Sequence, residues 1–275
     1  MAVPDSPRVV YGVNLLEHVS CNLRFPAILT MGPNPPVAFF ERVREDFPIY
    51  KLSSEVKVRV GGPLPALDAM FSHDAPIPGT VTHVFESEDT NWNLKLTREG
   101  LILSCKHYDR WETFASRLRR IVDPLWDVYK PSFIQHACVR YKNSVRRSLL
   151  KVRDDHPWSA LLRPWLGGAL LQSEVAAEVE QCQQKTVLQL PEGAGKIEAT
   201  CSLGRHQPSQ EAAFVIESHV YHEQTKRRPD VMPRLETLHR WAGRFFRWCI
   251  TDELHELLHP SPVPEGESRR VAPLE

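Results

Sequence analysis

The chain has 275 residues, of which 42% are hydrophobic and 25% are charged, as in an ordinary globular protein. Its 34 basic residues balance its 34 acidic residues, so the whole molecule has no charge preference for polyanions or polycations. No apolar run reaches the ~20 residues that span a bilayer, and the first residues lack the pattern of a signal peptide. We therefore expect a cytoplasmic protein with no membrane partner.

Six cysteines are spread along the chain, and no two of them lie closer than 19 positions. Several stand among apolar residues of predicted strands and helices, which is typical of buried free thiols. We expect neither a disulfide framework nor a structural zinc site. The sequence predicts no cofactor.

The first part of the chain is predicted to consist of short strands, one short helix and a long loop. Strands are predicted at residues 9–11, 19–25, 54–60 and 81–86. The helix, over residues 37–47, begins after three prolines, and proline suits the first turn because no bonded N–H is lost there. Residues 61–79 are rich in glycine and proline and are predicted to form the loop.

Residues 91–141 are the most regular stretch of the chain. Every second residue of the first strand is large and apolar, namely Trp92, Leu94 and Leu96. This period of two indicates a half-buried strand, and Gly100 can close the turn into the next one. An amphipathic helix follows, and we expect a kink at Pro124 because proline cannot donate to the preceding turn. A third strand is predicted over residues 133–141.

The second half of the chain repeats this plan. A helical connector is predicted over residues 158–171, with breaks at Pro164 and at the glycine pair that follows it. Three strands are then predicted, over residues 185–190, 196–203 and 212–221. A long helix is predicted from residue 231, and Thr251 is placed to cap a shorter helix after it.

These elements predict an α+β fold in which antiparallel sheets pack against long amphipathic helices. The N-terminal half is predicted to cover residues 1–150 with a helix at 110–129. The C-terminal half covers residues 151–259 with three strands and the long helix 231–258. We hypothesise that the two halves are structurally related. Residues 260–275 are predicted to be a disordered tail because they have little to bury.

Several short motifs fall in one order across residues 19–258: Arg24-Phe25-Pro26, Ser87-Glu88-Asp89, Asn91-Trp92, Trp111, Val128-Tyr129, Arg140-Tyr141, and Phe246 with Ile250-Thr251-Asp252-Glu253-Leu254. In these motifs the chain resembles a sporadically distributed prokaryotic family of uncharacterised proteins of about this length. Pro124 and residues 61–79 depart from the family's pattern. The resemblance implies no activity, but the family's patchy distribution implies a link to mobile elements, toxin–antitoxin modules or phage defence.

No catalytic residue is assigned, because the sequence contains no phosphate-binding loop, dinucleotide-binding glycine motif or nucleophile elbow. The best metal candidates are His255 and His259, which stand four positions apart on a predicted helix. His219 and His222 form a second, weaker pair. Zinc normally takes at least three protein ligands, so we interpret these histidines as surface residues rather than a metal site.

Basic residues are concentrated in two segments. Residues 110–153 contain eleven basic and three acidic residues, and residues 226–247 contain seven and two. The candidate binding residues in these segments are Arg117, Arg120, Arg140, Arg240, Arg244 and Arg247. They form either the solvated faces of amphipathic helices or a basic surface for phosphate backbones or an acidic protein.

Two functional hypotheses follow from the sequence. The first is a non-enzymatic intracellular interaction protein, such as an adaptor or an antitoxin-like or chaperone-like subunit, that binds a protein partner. The alternative is a nucleic-acid-binding protein that uses the basic helix faces. A metal-dependent hydrolase is a distant third. The sequence does not set the oligomeric state.

Overall fold

The computed structural model describes residues 3–53, 81–172, 174–207, 209–223 and 228–263. The strand predicted at residues 54–60, the loop predicted at residues 61–79 and residues 264–275 of the predicted tail lie outside the described residues.

The described residues contain eleven strands and seven α-helices. The strands are β1 Val9–Tyr11, β2 Leu16–Arg24, β3 Ile49–Ser53, β4 Thr82–Glu86, β5 Trp92–Thr97, β6 Gly100–Cys105, β7 His136–Arg146, β8 Cys182–Gln189, β9 Lys196–Arg205, β10 Ala212–His222 and β11 Pro260–Pro262. The helices are α1 Val37–Val43, α2 Trp111–Tyr129, α3 Arg147–Leu150, α4 Trp158–Leu161, α5 Pro164–Gly167, α6 Arg228–Cys249 and α7 Asp252–Leu257. The fold class is therefore α+β, as predicted.

The chain forms two compact units, each built from separate segments. Unit 1 comprises Met1–His18, Val139–His222 and Glu236–Glu275, and unit 2 comprises Val19–Cys138 and Glu223–Leu235. The boundary predicted near residue 150 lies inside unit 1. The structural relation between two halves stays a prediction.

Unit 2 contains an antiparallel sheet with the strand order β3-β4-β5-β6-β2. The predicted alternation of β5 is confirmed, because Trp92, Leu94 and Leu96 are all buried. The ring of Trp92 packs 5.5 Å from that of Phe114 on α2. The two-residue period of the strand thus directs one face of this sheet into the core of the unit.

Helix α2 buries one stripe of apolar residues, consisting of Trp111, Phe114, Leu118, Ile121, Val122 and Leu125. The three- and four-residue spacing of this stripe places its members on one side of the helix. The helix continues through Pro124 to Tyr129 and ends at Lys130, whose φ of 49° is left-handed. The helix is thus continuous through Pro124, and the kink expected there stays a prediction.

Unit 1 contains strands in the order β7-β10-β9-β8, with the first residues of β2 beside β7. The β8–β9 and β9–β10 pairs are antiparallel. Helix α6 buries Leu238, Ala242, Phe245 and Cys249 at helical spacing. His239, on the same helix, is joined to the Tyr141 hydroxyl of β7 by a hydrogen bond of 2.8 Å.

The connection between α6 and α7 was predicted from the sequence. The Thr251 hydroxyl accepts a hydrogen bond from the Leu254 N–H at 3.1 Å, which makes it the N-cap of α7. The same hydroxyl donates to the Ala160 carbonyl of α4 at 2.6 Å. The predicted breaks in the connector are also present, since α4 and α5 are separate helices of four residues each.

The predicted disorder of residues 260–275 is wrong for the first of these residues. Pro260–Pro262 form β11, which pairs with Val9–Tyr11 of β1. This pairing uses backbone groups, so it needs none of the apolar side chains whose scarcity suggested disorder. In the part of the chain that the structure describes, no helix is both long enough and apolar enough to span a membrane.

Alanine substitutions test the two cores. Phe114 in unit 2 and Phe245 in unit 1 are fully buried, so replacing either with alanine is expected to reduce the free energy of unfolding by ~3–5 kcal/mol. Chemical denaturation provides the measurement. The matched control is Val37→Ala, because the Val37 side chain is 61% exposed and should change stability by less than ~0.5 kcal/mol. An equally small change at Phe114 or Phe245 would contradict the packing described above.

Candidate functional site

The two candidate arginines on α2 are paired with carboxylates of unit 2. Arg117 lies 3.8 Å from Asp46, and its guanidinium lies 4.7 Å from the centre of the Trp92 ring. Arg120 lies 3.3 Å from Glu45 and 3.1 Å from Asp46. The predicted basic stripe on α2 is therefore neutralised by residues that lie about 70 positions away in the sequence.

An open cleft of about 390 Å³ lies beside these ion pairs. It is lined by Glu45, Asp46, Pro48, Ser87, Glu88, Asp89 and Arg117. The Ser87 hydroxyl donates to Asp89 at 2.5 Å and accepts from the Trp92 N–H at 2.9 Å. The hydrogen bond from Ser87 lowers the pKa of Asp89. The motif Ser87-Glu88-Asp89 thus stabilises the turn between β4 and β5. This structural role accounts for the presence of these residues in the cleft.

Arg140 occupies a half-buried position on β7. It forms an ion pair with Glu217 of β10, and Glu217 also lies 3.1 Å from His219 of the same strand. Glu217 and His219 are both more than nine-tenths buried, so the interpretation of His219 as a surface residue is wrong. Burial alone would raise the pKa of Glu217, but the hydrogen bond from His219 and the charge of Arg140 outweigh it and lower the pKa to about 2.

The candidate arginines of α6 differ in their environments. Arg244 lies 2.7 Å from Asp5, and its guanidinium lies 5.0 Å from the centre of the Trp241 ring. Arg247 is paired with Asp252 and donates to the Ile250 carbonyl at 3.3 Å. Arg240 is exposed and makes no ion pair with a described residue. Among the described residues, two of the three arginines in the predicted stripe are therefore paired with carboxylates.

The two metal candidates, His255 and His259, make different contacts in the structure. The Nδ1 atom of His255 lies 2.9 Å from the Tyr11 hydroxyl. The carbonyl of His259 accepts a hydrogen bond from the Gly12 N–H at 3.1 Å. Among the described residues, no group of three or more metal-ligating side chains is close enough to hold an ion.

Strand β8, which lies at the edge of the unit 1 sheet, was not identified as a candidate site from the sequence. It pairs with β9 on one side, and in the described part of the chain no other strand pairs with it. Its composition could have indicated an unprotected edge, because the strand has a single charge and no proline among its eight residues, Cys-Gln-Gln-Lys-Thr-Val-Leu-Gln. Native edge strands are usually blunted by charges, proline or bulges.

The register of β8 shows which of its backbone groups face outward. The Leu190 N–H donates to the Gly195 carbonyl at 2.9 Å. Leu190 and Gly195 are therefore a hydrogen-bonded pair, and they continue the register in which β8 and β9 are aligned. Because hydrogen-bonded and non-hydrogen-bonded pairs alternate in an antiparallel ladder, every second residue of β8 directs its N–H and C=O away from β9. These residues are Gln183, Lys185, Val187 and Gln189.

The side chains of this edge are close to electrically neutral. Lys185 lies 2.9 Å from Glu198 of β9, so its charge is already matched within the chain. Val187 is directly opposite Glu198 and is 54% exposed. The edge thus offers four sets of outward backbone groups beside an exposed apolar side chain. We take this edge as the candidate binding site.

The ion pair of the buried Glu217 with Arg140 gives a pH-dependent prediction. Because the pKa of Glu217 is lowered from 4.5 to about 2 in the folded protein, its ionised form stabilises the fold above pH 4.5. That contribution, about 3 kcal/mol, is lost as the pH falls from 4.5 to 2. We expect Glu217→Gln to lower the free energy of unfolding at neutral pH, with the difference from the unmodified protein shrinking over this range.

Denaturation curves at several pH values provide the measurement, and the exposed residue Glu88 provides the control. Glu88→Gln should leave both the stability and its pH dependence nearly unchanged. A Glu217→Gln difference that is constant with pH would show that the carboxylate is not held in its ionised form by Arg140 and His219.

No protein-family model matches the sequence, and no curated protein is significantly similar to it.

Proposed function

We propose that this protein is a non-enzymatic interaction protein that binds an extended polypeptide at the edge of β8. The observation that supports the proposal is the row of outward-facing backbone groups of Gln183, Lys185, Val187 and Gln189. An extended peptide can add itself to such an edge as a further strand, with its main chain supplying the hydrogen bonds.

The length of the edge suits this mode of binding. Strand β8 has eight residues, whereas strands in globular proteins commonly have ~5–6. Outward groups recur at every second residue, a spacing of ~7 Å that matches the repeat of an incoming strand. The exposed Val187 side chain adds an apolar contact in the middle of the row.

The ion pairs of the candidate arginines favour a protein partner over nucleic acid. Nucleic acids are bound through lysine and arginine side chains that replace counterions on the phosphates. Five of the six candidate arginines are paired with carboxylates of the same chain, and Arg240 is the exception among the described residues. Binding a phosphate at any of the five would require breaking an existing ion pair.

The biological role of such binding stays a prediction. An adaptor and an antitoxin-like or chaperone-like subunit would each use an exposed strand edge to capture a segment of another polypeptide. The link to mobile elements or phage defence has only the resemblance noted above as its support.

The proposal is tested with a proline at the edge. In Val187→Pro an outward N–H is removed while the hydrogen bonds between β8 and β9 are kept, since Val187 is not hydrogen-bonded to β9. The probe is a displayed library of random eight-residue peptides, selected on the purified chain at low concentration. Selected peptides are expected to bind the unmodified protein and Val187→Ala, but to bind Val187→Pro at least tenfold more weakly.

Circular dichroism and thermal melts must first show that Val187→Pro is folded. Peptides that bind Val187→Pro as well as they bind Val187→Ala would place the site elsewhere, as would a selection that yields no peptide binder. A capture from native cells with and without nuclease treatment separates the alternative, because a nucleic-acid partner would be lost on nuclease treatment.

A further inference from the structure

We infer that the polypeptide bound at the edge of β8 is the β8 strand of a second copy of this chain, paired antiparallel about a two-fold axis at Thr186. This inference depends on the proposed function, because it uses the same edge and names its occupant. An interface of this kind is isologous, since both copies contribute the same surface.

The register follows from the positions of the outward-facing residues. An axis at Thr186 places Lys185 opposite Val187 of the second copy and Gln183 opposite Gln189. All four outward-facing residues of each copy then lie in hydrogen-bonded pairs, each of which exchanges two backbone bonds. Thr186 faces its own counterpart in a non-hydrogen-bonded pair, where side chains approach closely and threonine pairs are favourable.

Two-fold axes at the neighbouring outward-facing residues, Lys185 and Val187, would give less favourable pairing than the axis at Thr186. An axis at Lys185 would place the two lysines directly opposite each other, and like charges in that position are destabilising. An axis at Val187 would place Gln183 opposite Pro191, which has no N–H to donate. The register centred on Thr186 avoids both faults and uses the full length of the strand.

The charges of the edge also fit a second copy. Lys185 is the only charged residue of β8, and its pairing with Glu198 at 2.9 Å leaves no free charge to repel an identical strand. The aliphatic part of Lys185 would lie against the exposed Val187 side chain of the second copy. Because each chain has one β8 edge, the pairing closes after two copies and does not propagate.

The first test measures the mass of the full chain in solution as a function of concentration by sedimentation equilibrium. The unmodified protein should show a reversible monomer–dimer equilibrium. In Val187→Lys the new lysine lies opposite Lys185 of the second copy twice per dimer, so the dissociation constant should rise about tenfold or more. Within one chain the new lysine lies opposite Glu198, so the folded monomer keeps a favourable neighbour.

A charge exchange and a neutral substitution serve as controls. The double variant Lys185→Glu, Val187→Lys places opposite charges across the interface and should restore dimerisation, which tests the register itself. Val187→Gln, which adds no charge, should leave the equilibrium nearly unchanged. Amide exchange in the unmodified protein gives a measurement that needs no variant, because the Lys185 and Val187 N–H groups should become protected as the dimer forms.

The outcomes separate this inference from the proposed function. If the unmodified chain stays monomeric while selected peptides still bind at β8, the second copy is not the occupant and the proposed function stands. A dimer that is unaffected by Val187→Lys, and whose Lys185 and Val187 amides exchange freely, would place the interface elsewhere and overturn the inference. Loss of dimerisation in Val187→Lys and of peptide binding in Val187→Pro, with dimerisation kept in Val187→Gln and peptide binding kept in Val187→Ala, would support both.

Discussion

The pairing of backbone hydrogen-bonding groups is the constraint on which this structure depends. In each sheet, a strand buried between two neighbours has its N–H and C=O groups satisfied on both sides. The constraint fixes the register of β9 between β8 and β10, and with it which side chains face the core and which face outward. In the described part of the chain the ladder stops at β8, where every second residue directs its backbone groups away from β9.

Much of the fold could be predicted because its signals are local. The alternation of Trp92, Leu94 and Leu96 needs only adjacent residues, and the capping role of Thr251 needs only the residue three positions later. The environments of the arginines could not be predicted in this way. Arg244 meets Asp5 and Arg140 meets Glu217, and such pairs are set by the tertiary fold rather than by spacing along the sequence. The basic stripes were visible in the sequence, but the carboxylates that neutralise them were not.

The short motifs on which the family resemblance was based have structural roles in this fold. Ser87 and Asp89 hold the turn after β4, and the Asn91 side chain accepts hydrogen bonds from the backbone N–H groups of Lys106 and His107. Thr251 caps α7, and Arg140 is held in a part-buried ion pair. A residue with such a task is constrained by folding, whatever the protein binds. These motifs therefore identify the architecture better than they identify a function.

The edge of β8 illustrates how one residue can either protect a strand or leave it open. A lysine on an edge strand normally discourages pairing with another strand, because its charge would have to be desolvated or repelled. Here Lys185 is matched by Glu198 of the neighbouring strand, so the charge that would guard the edge is already neutralised. Because β8 contains no proline and no second charge, its outward backbone groups determine which segment can bind. An extended segment with a neutral edge of its own satisfies that requirement, and β8 itself is such a segment.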